Sequence, residues 1–228
     1  MTFSEQVLDF HNSLNPNWKL PKDFELIYPY GNEMTLDAMR QFYQKYYSDN
    51  QVRTFLFGIN PGRFGAGVTG VPFTDPIRLE EVCGIQNDFK KRSELSSIFV
   101  YEFIEAFGGI ETFNQHFYVS SICPLGFIKD GKNINYYDDK KLEKAVEKYI
   151  IQNFEEQLKF GCNRKIALCM GQGKNFKYFK KMNEKLKLFE KIIPLPHPRW
   201  VMQYRRKRKQ EFIDQYISAL EEGKSSIF

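Results

Sequence analysis

The residues with the clearest chemical potential are an asparagine in a glycine-rich loop, a histidine between two prolines and a glycine turn ahead of a lysine. The loop reads Gly58-Ile59-Asn60-Pro61-Gly62-Arg63-Phe64-Gly65-Ala66-Gly67-Val68-Thr69-Gly70-Val71-Pro72-Phe73. Glycines at this density permit positive φ angles and close approach of backbone to a ligand. A phosphate-binding loop is excluded, because the Gly-Lys-Ser/Thr ending is missing and Pro61 removes a backbone donor. The dinucleotide fingerprint is excluded as well, since no helix is predicted after Gly65-Ala66-Gly67. What remains is a polar side chain, Asn60, with an aromatic, Phe73, returning nearby. A lone asparagine after a strand is by default a turn former. His197 sits in Leu195-Pro196-His197-Pro198-Arg199, where the prolines stiffen the backbone; taken alone this is a rigid turn. The other histidines, His11 in a predicted helix and His116 before a predicted strand, read as structural or surface residues.

These residues need elements to hold them. Thr54–Phe57, Phe117–Ile122, Lys165–Met170 and Leu188–Pro194 are apolar runs that read as buried strands. Helices are predicted near Ser4–Leu14, Leu36–Tyr47, Ile77–Cys83, Ser97–Phe107, Asp138–Lys159, from Gly173 to about Leu186, and over Gln203–Glu222. Pro16, Pro21 and Pro29 punctuate the connector between the first two helices. Strands alternating with helices predict an α/β fold: three layers, α/β/α, around a central, mostly parallel four-stranded sheet. One domain is expected over residues 1–228, with a helical portion at 1–50 and a catalytic core at 51–228. Ligands of such sheets sit at the carboxyl ends of the strands. That rule selects Gly58–Thr74, Ser120–Pro124, Gly171–Lys174 and Pro194–Arg199.

The 228 residues carry 33 Lys+Arg against 28 Asp+Glu, a formal charge of +5. Arg205-Arg206-Lys207-Arg208-Lys209 supplies as many positive charges as the whole excess, so the rest of the chain is neutral. No apolar stretch approaches a membrane span, and the N-terminal sequence lacks the pattern of a secretory signal. Cys83, Cys123, Cys162 and Cys169 show no metal-ligand spacing and read as free thiols of a reducing compartment. A cytoplasmic protein is expected, without metal or cofactor.

The loop from Gly58 to Phe73 resembles the first active-site motif of the uracil-DNA glycosylase superfamily. It is most similar to the single-strand-selective monofunctional branch. Tyr118-Val119-Ser120-Ser121-Ile122-Cys123-Pro124-Leu125 resembles the central strand of that branch, and Leu195–Arg199 resembles its HPSPR-type second motif. Gly171-Gln172-Gly173 matches a glycine pair found there, and the likeness runs from about Arg53 to the C-terminus. The resemblance implies a monofunctional glycosylase that extrudes a damaged base from DNA and hydrolyses its bond to deoxyribose. It implies that Asn60 orients the attacking water and that His197 donates a hydrogen bond to the departing base. Phe73 would stack on the flipped base, and backbone around Ile59, Gly62 and Phe64 would line the pocket. DNA carrying uracil or a related base is the implied partner, and a monomer is expected.

Two departures from the family pattern bear on substrate. Ser121 stands where the branch carries an asparagine that reads the uracil edge, which predicts a pocket less strict for uracil that also takes xanthine or an oxidised pyrimidine. Alternatively, a water on Ser121 restores the missing contacts. The residues between His197 and Arg199 are fewer than usual, so the duplex-filling wedge is assigned only to Arg199, with Trp200, Met202 and Tyr204 of suitable character. Arg205, Arg206, Lys207, Arg208 and Lys209 are predicted to open the last helix and contact phosphates. Two other classes compete: an inactive nucleic-acid-binding module of the same fold, and a phosphate enzyme using Gly171-Gln172-Gly173-Lys174 as an anion site.

Overall fold

The structure, a computed structural model, describes residues 1–227. In chain order the elements are α1 (Phe3–Ser13), β1 (Glu25–Ile27), α2 (Glu33–Tyr46), β2 (Arg53–Gly58), α3 (Ala66–Thr69), α4 (Pro76–Glu81), α5 (Leu95–Ala106) and α6 (Gly109–His116). There follow β3 (Phe117–Ser121), β4 (Gly126–Lys129), β5 (Lys132–Ile134), α7 (Lys140–Gln157), β6 (Cys162–Met170), α8 (Lys174–Leu186), β7 (Lys191–Leu195), α9 (Pro198–Tyr204) and α10 (Lys209–Ser225).

Strands β3, β2, β6 and β7, in that order, form the central sheet, and every pairing is parallel. Every residue of β2 is buried, as a strand covered on both faces requires. On one face Phe57 meets Phe154 of α7 and Phe179 of α8, while Phe55 meets Phe3 of α1. On the other face the Thr54 hydroxyl donates to the Gly223 carbonyl of α10 at 2.9 Å. The expected three-layer α/β/α arrangement is therefore present, and the N-terminal helix is part of one layer. Arg53, placed by sequence just outside the strand, begins it and is fully buried. Its guanidinium donates to both Asp49 oxygens at 2.8 Å and lies 4.7 Å from the ring centres of Phe3 and Tyr47. Burial of a charge is tolerated because it is paired and stacked.

Several expectations need correction. A second sheet, β1-β4-β5, is antiparallel and was not predicted. Asp130 (φ 51°) and Gly131 (φ 69°) turn β4 into β5, the conformation an Asp-Gly hairpin turn requires. A helix does begin within Gly65-Ala66-Gly67, but α3 is a single turn closed by Gly70 at φ 72°. It is too short to present the N-terminus of a dinucleotide site. Helix α6 was also missed, and His116 ends it. The last helix does not begin at Gln203. His197 and Pro198 start α9, because Pro198 suits the first helical position and the His197 ring caps it. Arg205 closes α9, Arg206–Arg208 form one turn of 3-10 helix, and α10 starts only at Lys209. The basic run is thus a corner between two helices, not a helix start.

Candidate active site

Where the carboxyl ends of β2, β3 and β7 converge lies a cleft of about 780 Å³. Ile59, Asn60, Gly62, Phe64, Phe73, Ser121, His197 and Arg199 all line it. The five residues of the basic run do not.

Asn60 leaves the end of β2 beneath the small sheet. Its Oδ1 accepts the Tyr136 N–H at 3.1 Å, and its Nδ2 donates to the carbonyls of Pro61 and Ile134 at 3.3 and 3.5 Å. Three backbone groups therefore fix which end of the amide is which. Oδ1 keeps one lone pair for a further donor such as water. The sheet comes this close because residue 126 is glycine: a Cβ there would collide with the Pro61 carbonyl oxygen. The loop is also tied to β3, since Ile122 N–H donates to the Gly58 carbonyl at 3.1 Å and Cys123 N–H to that of Ile59 at 3.0 Å.

His197 caps α9 by accepting the Arg199 N–H on Nδ1 at 3.2 Å. An accepting Nδ1 puts the ring proton on Nε2, so a neutral imidazole here offers an N–H donor from its other nitrogen. Burial pulls its pKa down to about 4, and the Arg199 guanidinium pulls in the same direction. The neutral form is held across the physiological range. Phe73 lies beside it, ring centres 5.9 Å apart. Phe73 has φ 53°, rare for a bulky residue and stored strain of about 1–3 kcal/mol. That conformation lays its ring over Gly58, where a Cβ would stand 2.7 Å from a ring carbon.

Ser121 ends β3 opposite Gly58 and is 8 % exposed. Phe64 lines the cleft, but its ring is occupied by arginines: the guanidinium carbons of Arg63 and Arg92 lie 4.7 and 3.6 Å from its centre. On the opposite wall, α9 turns Arg199, Trp200, Gln203 and Tyr204 toward the cleft. Met202, of suitable character for a wedge by sequence, is buried with Val201 in the core, because the helical turn sends it the other way. Within the basic run Arg208 pairs with Glu211 and Lys209 with Glu102, each at 2.6 Å, and Arg205 stacks on Trp200 at 5.0 Å. Only Arg206 and Lys207 have no ion pair or ring partner among the described residues.

Sequence reasoning missed several residues of the cleft. Arg63, Arg92, Lys132, Asn133 and Glu94 line it. The Glu94 carboxyl packs against Gly65, where a Cβ would overlap it. Burial raises its pKa, Arg199 and Arg92 lower it, and Asp75 adds to the rise. Gly171–Lys174 lies outside the cleft lining, and Lys174 there pairs with Asp138 at 3.5 Å. Among the described residues no three His, Cys, Asp or Glu side chains cluster as metal ligands. All four cysteines are free and buried, and burial pushes each thiol pKa up. No described helix is long and apolar enough to cross a membrane.

The sequence profile of the uracil DNA glycosylase superfamily matches residues 44–221. The chain belongs to the uracil DNA glycosylase superfamily. As a member it is a DNA glycosylase, a hydrolase acting on N-glycosidic bonds. The fold is similar to the crystal structure of wild-type SMUG2 from Pedobacter heparinus, with a TM-score of 0.94, 46 % identity and 97 % of each chain covered. The glycosylase likeness extends through α1 and the small sheet, because the matched structure covers nearly the whole chain.

Proposed function

We propose that the protein is a monofunctional glycosylase that extrudes uracil or a related deaminated base from DNA and removes it with water. The carrying observation is that Asn60 and an Nε2-protonated His197 face one cleft at the carboxyl ends of neighbouring strands. Asn60 Oδ1 accepts from the attacking water and aligns it on the sugar carbon. An amide takes no proton, so its contribution is placement. As the water oxygen bonds to that carbon, the glycosidic bond breaks and its electron pair leaves with the base. His197 Nε2–H donates to the charge developing on the base, and the proton shed by the water ends on the departed base. Phe73 offers its face to the flipped ring.

Ser121 supports a pocket that admits purines such as xanthine beside uracil, since its short hydroxyl leaves room that an asparagine would fill. The enzyme is read as a monomer on DNA, and Arg199 as the wedge side chain. Arg63, Arg92, Lys132 and Arg199 give the cleft four cationic side chains against Glu94, which supports phosphate contact at the rims rather than at the basic corner alone. The test is alkali-induced nicking of oligonucleotides carrying uracil, xanthine or hypoxanthine, single-stranded and paired. Release of uracil by wild type, lost in Asn60→Ala and His197→Ala, is the expected result. Activity on uracil with xanthine untouched would remove the wide-pocket reading. No release of any base would leave a binding module.

A further inference from the structure

We infer that Tyr136 and Asn175 are positioning residues for Asn60, acting through a closed ring of hydrogen bonds beneath the cleft. This rests on the proposed role of Asn60 and extends it to residues that touch no substrate.

The ring starts at the Tyr136 N–H that Asn60 Oδ1 accepts at 3.1 Å. The Tyr136 side chain is fully buried, and its hydroxyl donates to Asn175 Oδ1 at 2.8 Å. Asn175 is 1 % exposed, and its Nδ2 donates to the Gly58 carbonyl at 3.3 Å and to the Met170 carbonyl at 3.4 Å. Gly58 lies two residues before Asn60 on the same strand end, so the circuit closes through backbone. It joins β2, the segment after β5, and α8. Burial holds the Tyr136 hydroxyl protonated, which keeps it a donor.

The glycine turn after β6 has its use here. Gly171 stands at φ 127°, a conformation open to glycine, and its N–H donates to the Leu195 carbonyl at 2.8 Å. A Cβ on Gly171 would lie 3.1 Å from Asn175 Cβ. The turn thus delivers an amide into the base of the site instead of an anion hole to its surface. Tyr136 is further braced by Tyr137 and Tyr178, ring centres 4.9 and 4.8 Å away. With its ring locked, the backbone N–H that meets Asn60 has little freedom. Hydrogen bonds in such buried networks couple, so loss of one member is felt at the others.

The experiment is single-turnover excision of uracil at saturating enzyme, for Tyr136→Phe and Asn175→Asp, alone and on an Asn60→Ala background. Tyr136→Phe removes only an oxygen, and Asn175→Asp keeps the acceptor for Tyr136 while losing the amide donor to the Gly58 and Met170 carbonyls. Each is expected to slow excision about 10-fold, with the double variant no slower than the worse single one, because the losses share one network. Affinity for an abasic-site oligonucleotide should stay within about 2-fold, and thermal melts well above assay temperature show that the variants are folded. On the Asn60→Ala background neither change should slow the residual reaction further. A general structural role would slow it in both backgrounds and would overturn the inference. So would wild-type rates in both variants while wild type itself excises uracil. An inactive wild type would overturn the glycosylase reading, and the inference with it.

Discussion

At the residue scale, the decisive asymmetry is between the two nitrogens of His197. Nδ1 is committed to the Arg199 N–H, so only Nε2 faces outward chemistry. His197→Ala should lower the excision rate by ~10²–10³, the usual loss of one donor to a developing anion. Its titration is a separate test. A folded-state pKa of about 4 against an ordinary 6.5 means no charge change on His197, and no inflection in excision rate arising from it, between pH 8 and 5. NMR of the imidazole should give a midpoint near 4, displaced upward in Arg199→Ala, which removes a neighbouring positive charge. A midpoint near 6.5 would contradict a neutral ring in the cleft. His11 obeys the same sign rule for stability. Burial lowers its pKa to about 4, so the unfolded chain binds a proton that the folded chain refuses. Stability therefore falls as pH drops from 6.5 toward 4, by on the order of 3 kcal/mol from this group. Urea melts of wild type and His11→Asn at pH 7 and 4.5 should show the acid loss shrinking in the variant.

At the element scale, the site depends on a small sheet pressed against a glycine loop, and Gly126 is where they touch. Gly126→Ala puts a methyl into the Pro61 carbonyl oxygen, a backbone atom that cannot swing aside. The sheet must retreat, loosening the Ile134 and Tyr136 contacts to Asn60. Excision should fall at least ~10-fold by the cost of misplacement, and stability by about 1–3 kcal/mol for overpacking. Unaltered kinetics in a folded Gly126→Ala would show that the sheet does not position the amide. The same pair of elements marks how far the sequence can be read. The central strands were legible because β2 is wholly buried, the signature of a sheet covered twice, and because β6 and β7 carry the shorter apolar stretches Ile166–Met170 and Ile192–Ile193. The resemblance of Gly58–Phe73 and Leu195–Arg199 to family motifs then singled out Asn60, Phe73 and His197, which share one cleft. The small sheet was not legible from apolar runs, since β5 is Lys132-Asn133-Ile134 and exposed. Its one available signal was Asp130-Gly131 between Ile128 and Ile134. Tyr136 and Asn175 were invisible for a different reason: their roles are created by contacts 76 and 117 positions away in sequence. The helix break at Arg205 was hidden because Arg205–Lys209 contains no glycine, proline or other turn former to mark it.

At the scale of the whole molecule, cationic side chains gather in two places, the basic corner and the cleft rims. Ion pairs absorb part of the basic corner: Arg208 gives both its forks to Glu211, and Lys209 is spent on Glu102. Arg206 and Lys207 remain outward there. The cleft rims carry Arg63 and Arg92 stacked on Phe64, with Lys132 beside them and Arg199 across the opening. Stacking on a ring orders a guanidinium without neutralising it, so both arginines keep full charge for a phosphate. A strand lying across the cleft would therefore meet fixed cations on both sides of the extruded base and freer ones at the corner. Salt dependence separates the two, since each lost phosphate contact flattens the log–log slope by nearly one unit. Arg63→Ala/Arg92→Ala should flatten the slope on undamaged single strands by about 1.4 units, at ~0.7 per contact, and weaken binding to them. Arg206→Ala/Lys207→Ala should remove about one to two. Arg208→Ala/Lys209→Ala should change the slope by well under one unit, because acidic neighbours already consume those charges. Fluorescence anisotropy from 50 to 200 mM salt measures all three. If the last pair flattened the slope most, the ion pairs with Glu211 and Glu102 would have to open on DNA, and the corner would hold the strand after all.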